Sequence, residues 1–534
     1  MSRIVIVGSG PSAVHCALSC LERGASVTMI DVGNAPPAPV LPDVSFDQLK
    51  NRLDDPVEYF LGEQGQGVVY PEVAASYYGH PPSKQYVFDA PQSFSPEPHN
   101  ISPVFSFSRG GLAGAWTAGS YVWTETDLAE FPFDFETLRP FYETIAVRIG
   151  LSGVDDDLSP YLPTTSPHQP PLALDPHSKF LLDRYRARRA RFQRGDFILG
   201  RSRLATLSTP LRGRNGCTNL GRCLWGCPTG ALYHPAVTLN DCLQYREFSY
   251  LPGRFVTHLD TAAEGSVKAA IATDVGAGTT TRIEGDQFVM AAGALNSTKI
   301  YLETMYRATG ALPKLGGLMD NRQIHIPFLS PSMIGQPVDS ASYQFHQLAF
   351  GIPGRDEREY VHGQITTLKA ASIHPIVAGM PLSSRSGLKV FKAIRAGLGV
   401  ANVNLFDERR PDSHVTLRPG DGPTGGQLVI NYVPGSGEYR LRKRAVGDVK
   451  AGLRRLGCIV PPGMTRVLPM GTSAHYAGTL PMTRTEQLHT TTPDGRIRGF
   501  SNLFLVDGAS FPFLPAKNLT LTLMANAARI ASLL

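Results

Sequence analysis

Residues 4–13 read IVIVGSGPSA, Ile4-Val-Ile-Val-Gly-Ser-Gly-Pro-Ser-Ala13. Four β-branched residues in a row mark a strand, and a glycine ends it. Gly8-x-Gly10-x-x-Ala13 is the spacing of a dinucleotide-binding turn. Two glycines let the backbone approach a pyrophosphate, the small third residue permits close helix–strand packing, and the helix opened by Pro11 and Ser12 offers its positive N-terminus. The helix runs to about Arg23, and a second strand follows from Ser26 to Ile30. Asp31 ends that strand, about 20 residues beyond the turn, where a carboxylate holds a ribose hydroxyl pair. It favours an unphosphorylated ADP moiety, hence FAD or NAD over NADP.

Working outward, 534 residues exceed one compact core, so two or three domains are expected, with interleaved segments allowed. Residues 152–176, rich in Pro, Ser and Asp, read as a connection. Strand-like alternation returns at Arg254–Asp274 and Asp286–Ala292. The stretch 311–464 mixes helical pieces with strand-like ones such as His414–Leu417 and Leu428–Asn431, carries no nucleotide motif, and is the natural candidate for a substrate-facing sheet. A strongly apolar last helix is expected over Leu519–Leu534.

The excess of Lys and Arg over Asp and Glu is 51 − 45 = +6, too mild for a nucleic-acid binder of this size. The densest basic run, Arg184 to Arg194, reads as a solvated helix face with Tyr185 and Phe192 turned inward. No apolar run approaches the roughly 18 residues that span a bilayer. The N-terminus enters a strand directly, without a basic leader, so a cytoplasmic protein is expected. Seven cysteines, an odd number, argue for reduced thiols. Cys16 and Cys20, one helical turn apart, are expected in the core.

Further motifs come in a fixed order: the glycine-rich loop Ser106–Gly119 with Gly110, Gly111, Trp116 and Thr117; the turn Ala291-Ala-Gly-Ala294; Glu408–Leu417; His475-Tyr-Ala-Gly-Thr479; and Asp507-Gly-x-Ser with Asn518-x-Thr-x-Thr522. Together with the N-terminal fingerprint they resemble the glucose-methanol-choline (GMC) family of FAD-dependent oxidoreductases. The resemblance spans nearly the whole chain and is closest in motif to pyranose oxidases and bacterial FAD-dependent sugar dehydrogenases. It implies an α/β fold in which a Rossmann-like FAD-binding domain interleaves with an α+β substrate-binding domain built on an antiparallel or mixed sheet. The division expected is FAD-binding over 1–155, a linker and substrate-side segment over 156–200, FAD-binding with a Cys-rich segment over 201–310, substrate binding over 311–464, and a C-terminal catalytic segment over 465–534.

By the same resemblance the catalytic pair is His475 and Asn518. The chemistry suits them: a neutral imidazole accepts a hydroxyl proton while hydride leaves carbon, and a carboxamide hydrogen-bonds the substrate oxygen without competing for the proton. A helix starting near Asn518 would aim its positive end at the flavin pyrimidine ring. Beyond Gly8, Gly10, Pro11, Ser12, Ala13 and Asp31, cofactor contacts are implied for Arg109, Gly110, Gly111, Ala113, Trp116 and Thr117. Val256, Ala292, Gly293, Asp507, Gly508, Leu519 and Thr520 complete the set. Ala115 stands where pyranose oxidases carry a flavin-linked histidine, so FAD is expected to be noncovalent; Leu112 stands where relatives often have Ser or Thr and supplies no hydroxyl. His325, His346, His362 and His414 carry no such motif.

Cys217, Cys223 and Cys227 form a C-x5-C-x3-C segment resembling the three-cysteine site that holds a 3Fe-4S cluster in bacterial glucose dehydrogenases. Packed, reduced cysteines are the other reading. The activity implied is oxidation of a CH–OH group of a sugar, aminosugar or polyol, with electrons passing to oxygen or another redox partner. Alternatives are a sterol or other lipophilic alcohol, lined by the apolar residues around Met380 to Leu398, and a flavin-containing lyase or inactive scaffold.

Overall fold

The computed structural model describes residues 2–36, 42–69, 79–165, 168–193, 197–368, 377 and 380–534. Its first unit is the strand Arg3–Val7, the helix Pro11–Glu22 and the strand Ser26–Ile30. These strands join Phe248–Leu251, Gln287–Met290 and Leu503–Leu505 in a five-stranded parallel sheet. Ile4–Val7, Phe288–Met290 and Leu503–Leu505 are buried, continuous apolar runs, as strands covered on both faces require. The last helix, Thr520–Ala531, packs on Pro11–Glu22 within one core that includes Ala13, Ala17, Met524 and Ala528. Cys16 and Cys20 lie in this core, 0% and 2% exposed.

A six-stranded antiparallel sheet carries the other half of the site. Its order is Arg466–Val467, Gln323–Leu329, Leu398–Asn404, Val361–Thr367, Leu348–Ile352 and Ile198–Arg201. One face is apolar: Ile324, Phe328, Ala401, Val403, Ile365 and Phe350 pack with Ala445, Val449 and Leu453 of the helix Glu438–Arg455 and with Leu181 and Tyr185 of the helix Pro176–Ala187. The other face carries Gln323, His325, Asn402, Asn404, His362 and Gln364, because alternate residues of a strand point to opposite sides. Two members of this sheet come from outside 311–464. Conversely, His414–Arg418 and Gln427–Asn431 pair in a separate four-stranded sheet, and Val415, Leu417, Leu428 and Ile430 pack against the apolar core under the parallel sheet.

The basic run splits over two helices, Pro176–Ala187 and Arg189–Gln193, with Tyr185 and Phe192 buried as their spacing requires; Arg194 lies outside the described residues. Among the described residues, no helix is long and apolar enough to cross a membrane.

Candidate active site

The two sheets face each other across a partly open cavity of about 380 Å³. From the parallel sheet it is walled by Gly8, Gly10, Pro11, Ser12 and Asp31, followed by the turn Ala292–Gly293 and the segment Asp507–Gly508. The loop residues Gly111, Ala113, Trp116 and Thr117, with Val256, Leu519 and Thr520, close the sides. Ala13, Arg109 and Gly110 lie outside the wall. Ala13 is buried against the core, the Arg109 backbone N–H bonds Asn34, and the Gly110 N–H donates to Ser9 Oγ at 3.0 Å.

The fingerprint glycines serve different ends. Gly8 has φ +105°, and a Cβ there would fall 2.5 Å from the Ala291 carbonyl oxygen, so the approach of two turns requires it. Gly10 has φ −68°, open to any residue, and a Cβ there meets no atom within 4 Å. It faces open cavity at the start of a helix that has no side-chain cap, leaving backbone N–H groups to receive an anion. Asp31, its pKa pushed up to about 7 by burial, accepts from the Ser9 hydroxyl beside this cradle. Pyrophosphate cradle and acidic strand end together fit FAD.

Asp507 acts as a strut. Its carboxylate accepts from the Gly293 and Ala509 N–H groups, each at 3.0 Å, and from Ser297, tying the two turns together; burial raises its pKa to about 6.

His475 sits on a loop pinned from behind. Asp320, fully buried, accepts from the Gly471 N–H at 2.6 Å and from the Ser473 hydroxyl, and Ser473 Oγ accepts from the His475 N–H at 3.0 Å. The Tyr476 hydroxyl donates to the Gly471 carbonyl and accepts from the Val104 N–H at 2.6 Å. Gly471 has φ +96°, and a Cβ there would fall 2.4 Å from the Ser102 carbonyl oxygen.

The ring itself is oriented by Asn321. His475 Nδ1 lies 2.8 Å from Asn321 Oδ1, while Asn321 Nδ2 donates to the carbonyls of Leu405 and Pro515 at 2.8 and 3.0 Å. Two carbonyls identify the nitrogen end of the amide, and an amide oxygen only accepts. Nδ1 therefore carries the proton, and Nε2 is the acceptor. Burial pushes the His475 pKa down to about 4, so the ring is neutral at cellular pH.

Asn518 is held the same way. Gln364 Nε2 donates to Asn518 Oδ1 at 2.9 Å and contacts the Tyr121 hydroxyl at 3.2 Å, which leaves Asn518 Nδ2 as the available donor. Trp123 Nε1 donates to the Asn518 carbonyl at 3.3 Å, and neighbouring Lys517 forms a buried ion pair with Asp127. Both His475 and Asn518 line the cavity. The helix beyond Asn518 starts at Thr520 without a side-chain cap, its first turn in the cavity wall.

The three cysteines do not form a ligand set. Cys217 Sγ turns to Asn219 Oδ1 at 3.7 Å, Cys227 Sγ to Thr229 Oγ1 at 3.5 Å, and Cys223 packs with Leu224, Trp225, Tyr343 and Phe345. Among the described residues no group of three Cys, His, Asp or Glu side chains is placed to hold a metal ion. The cluster reading of Cys217, Cys223 and Cys227 is therefore not supported by the placement of these side chains. Nor do residues 380–398 line the cavity; Leu382, Leu388 and Val390 are exposed.

Sequence reasoning passed over Asn321, Gln364, Gln323, Asn402 and Asn404. It also left aside His325, which lines the cavity, whereas His414 lies outside the wall. The available signal was polar alternation, Gln323-Ile-His325, His362-Gly-Gln364 and Asn402-Val-Asn404, within otherwise apolar strands.

A family model for GMC oxidoreductases matches residues 465–527, the segment that carries both His475 and Asn518. The likeness to GMC oxidoreductases that the motifs imply is thus found in the C-terminal segment. Similar curated proteins include the 6'''-hydroxyparomomycin C oxidase of Streptomyces lividus, 22% identical over 98% of this chain and 90% of its own length. Another is the paromamine 6'-oxidase of Streptomyces fradiae, 23% identical over 99% of this chain and 90% of its length. In fold the chain resembles pyridoxine 4-oxidase from Mesorbium loti (TM-score 0.60, 15% identity, 100% and 99% of the two chains). It also resembles a variant formate oxidase of Aspergillus oryzae (TM-score 0.63, 10% identity, 99% and 98%).

Proposed function

We propose that this enzyme oxidises a hydroxyl-bearing carbon of a sugar, aminosugar or polyol to a carbonyl, with His475 as general base and Asn518 as the hydrogen-bond donor to the reacting oxygen. FAD, bound noncovalently because Ala115 offers no side chain for a flavin link, would supply the hydride acceptor. His475 Nε2 takes the hydroxyl proton, because its other nitrogen already donates to Asn321. Asn518 Nδ2 donates to the same oxygen and holds the carbinol hydrogen in place. The uncapped helix start at Thr520 favours negative charge nearby. The observation that carries this reading is the pair of buried carboxamides, Asn321 and Gln364, that set one acceptor and one donor toward a common cavity.

In this reading FAD is held by the segments around the parallel sheet and the substrate by the six-stranded sheet. The electrons leave to oxygen or to another redox partner, and oxygen uptake during turnover decides between them. Anaerobic mixing with a panel of sugars, polyols and sterols tests the function itself. Bleaching of the flavin band near roughly 450 nm by a sugar or polyol supports it. Product without bleaching would make the protein a lyase, and bleaching by sterols alone would replace the substrate class.

A further inference from the structure

Three strands turn hydrogen-bonding side chains toward the cavity in register. On one side of the central strand Gln323 pairs with Asn404 and His325 with Asn402; on the other, Asn404 pairs with His362 and Asn402 with Gln364. The six positions form two rows of three. All but His362 line the cavity.

This wall is polar but uncharged. Asn404 is 1% exposed, and its Oδ1, like that of Asn402, has no hydrogen-bond partner among the described residues. A buried amide oxygen left so is destabilising, and an incoming donor group removes that cost. Burial drives the His325 pKa down to about 4 and that of His362 well below its ordinary value, so neither ring carries charge near neutral pH. Among the described residues lining the cavity, the charged ones belong to the cofactor side: Asp31 and Asp507 at the ends of parallel strands, Lys299 paired with Glu303, and Arg254 paired with Asp274.

The geometry points to a neutral polyhydroxylated donor, a sugar or polyol without an ammonium group, selected by the carboxamide grid of Gln323, Gln364, Asn402 and Asn404. The inference rests on the cavity being the donor site proposed above. A hydroxyl both donates and accepts, as a carboxamide does, so each can satisfy the other. A protonated amine brings a full charge into a wall that offers it no carboxylate, and burying an unpaired charge is unfavourable. A lipophilic alcohol would leave the oxygens of Asn402 and Asn404 without donors.

The test uses the FAD-loaded enzyme and matched pairs: glucose with glucosamine, galactose with galactosamine, mannose with mannosamine, and cholesterol as the apolar control. Flavin reduction is followed anaerobically at pH 6.5 and pH 9. At pH 6.5 the neutral member of the reacting pair should exceed its amine in kcat/KM by about a hundredfold, at tenfold for each 1.36 kcal/mol. At pH 9, where a sugar amine is largely neutral, the gap should shrink to about threefold or less. Asn402→Asp, which gives the wall one carboxylate, should raise the amine-to-sugar ratio at pH 6.5 at least about tenfold. An aminosugar preferred by the wild-type enzyme at pH 6.5 overturns the inference while leaving sugar oxidation in place. So does a gap that ignores pH, or a folded, yellow Asn402→Asp enzyme with an unchanged ratio. Reduction by cholesterol alone, or by no member of the panel, overturns the inference together with the functional reading. Should Asn402→Asp fail to fold, the wild-type comparison at two pH values still decides.

Discussion

Asn321→Ala removes the group that fixes which nitrogen of His475 carries the proton. In the wild type the bond from Nδ1 to Asn321 Oδ1, 2.8 Å long, makes the Nε2-acceptor tautomer the satisfied one. Without it a buried N–H has no acceptor, a cost of about 1–3 kcal/mol. At 1.36 kcal/mol per tenfold, the competent tautomer, and with it the limiting rate of anaerobic flavin reduction, should fall about 5- to 150-fold. The same change strips the Leu405 and Pro515 carbonyls of a donor, so some loss of stability is expected and does not by itself diagnose the mechanism. Asn321→Asp separates the two effects. It loses those donated bonds as well, yet keeps an acceptor at Nδ1, so at pH 8 its reduction rate should stay well above that of Asn321→Ala. Its negative charge also stabilises the imidazolium, raising the His475 pKa from about 4 by about 1–3 units. The acid limb of kcat/KM should therefore move up by that amount. Stopped-flow reduction from pH 4.5 to 8.5, with flavin content and melting temperature measured alongside, reads all of this. If Asn321→Ala reduces its flavin within about threefold of wild type, or if the acid limb of Asn321→Asp does not move, the tautomer argument is wrong.

His475→Ala should keep its flavin and lose at least about a hundredfold in reduction rate, the scale of a lost general base; near-normal turnover would refute the assignment. Gly10→Val should fold, because its φ of −68° suits a side chain and no protein atom stands within 4 Å of the added Cβ, yet should lose most of its FAD. A fully yellow Gly10→Val preparation would mean that the cradle has been misread, while Gly8→Val, strained at φ +105° and against Ala291, should instead lower the melting temperature of the apoprotein. Because the His475 pKa lies below its ordinary value, the base is neutral throughout the range above about 5, and wild-type kcat/KM should be flat from pH 6 to 8, falling only on the acid side. The same depression in His80, His168, His234 and His325 means that the unfolded chain binds more protons between about pH 6.5 and 4, so the melting temperature should drop as pH falls through that window; a constant melting temperature there would show that these rings are not buried neutral.

What was legible in the sequence was what local chain geometry dictates. The strand, turn, helix and strand from Arg3 to Ile30 follow from apolar runs and glycine spacing, and the structure places them within a residue or two of the expected ends. The loop of His475 and the helix after Asn518 were legible through their motifs. Their orienting partners were not, because Asn321 and Gln364 each lie 154 residues from the group they hold, and an isolated Asn or Gln in a strand carries no mark of its distant neighbour. The polar grid shows the limit most plainly. Alternating polar and apolar residues ordinarily mean a sheet with one face in water, and the sequences around Gln323, His362 and Asn402 satisfy that rule equally well. What sets these strands apart is that their polar face meets the cavity beside the parallel sheet instead of bulk solvent. The cluster reading of the cysteine segment lacks support for the converse reason. Its spacing allowed thiolates to converge, but Arg222, bonded to the Pro42 and Val44 carbonyls, and Trp225, packed on Phe46, Tyr59 and Phe60, anchor the turn from outside, and the thiols bond within their own segment or enter the core. Spacing limits which groups can meet, and burial of the residues between them decides which do.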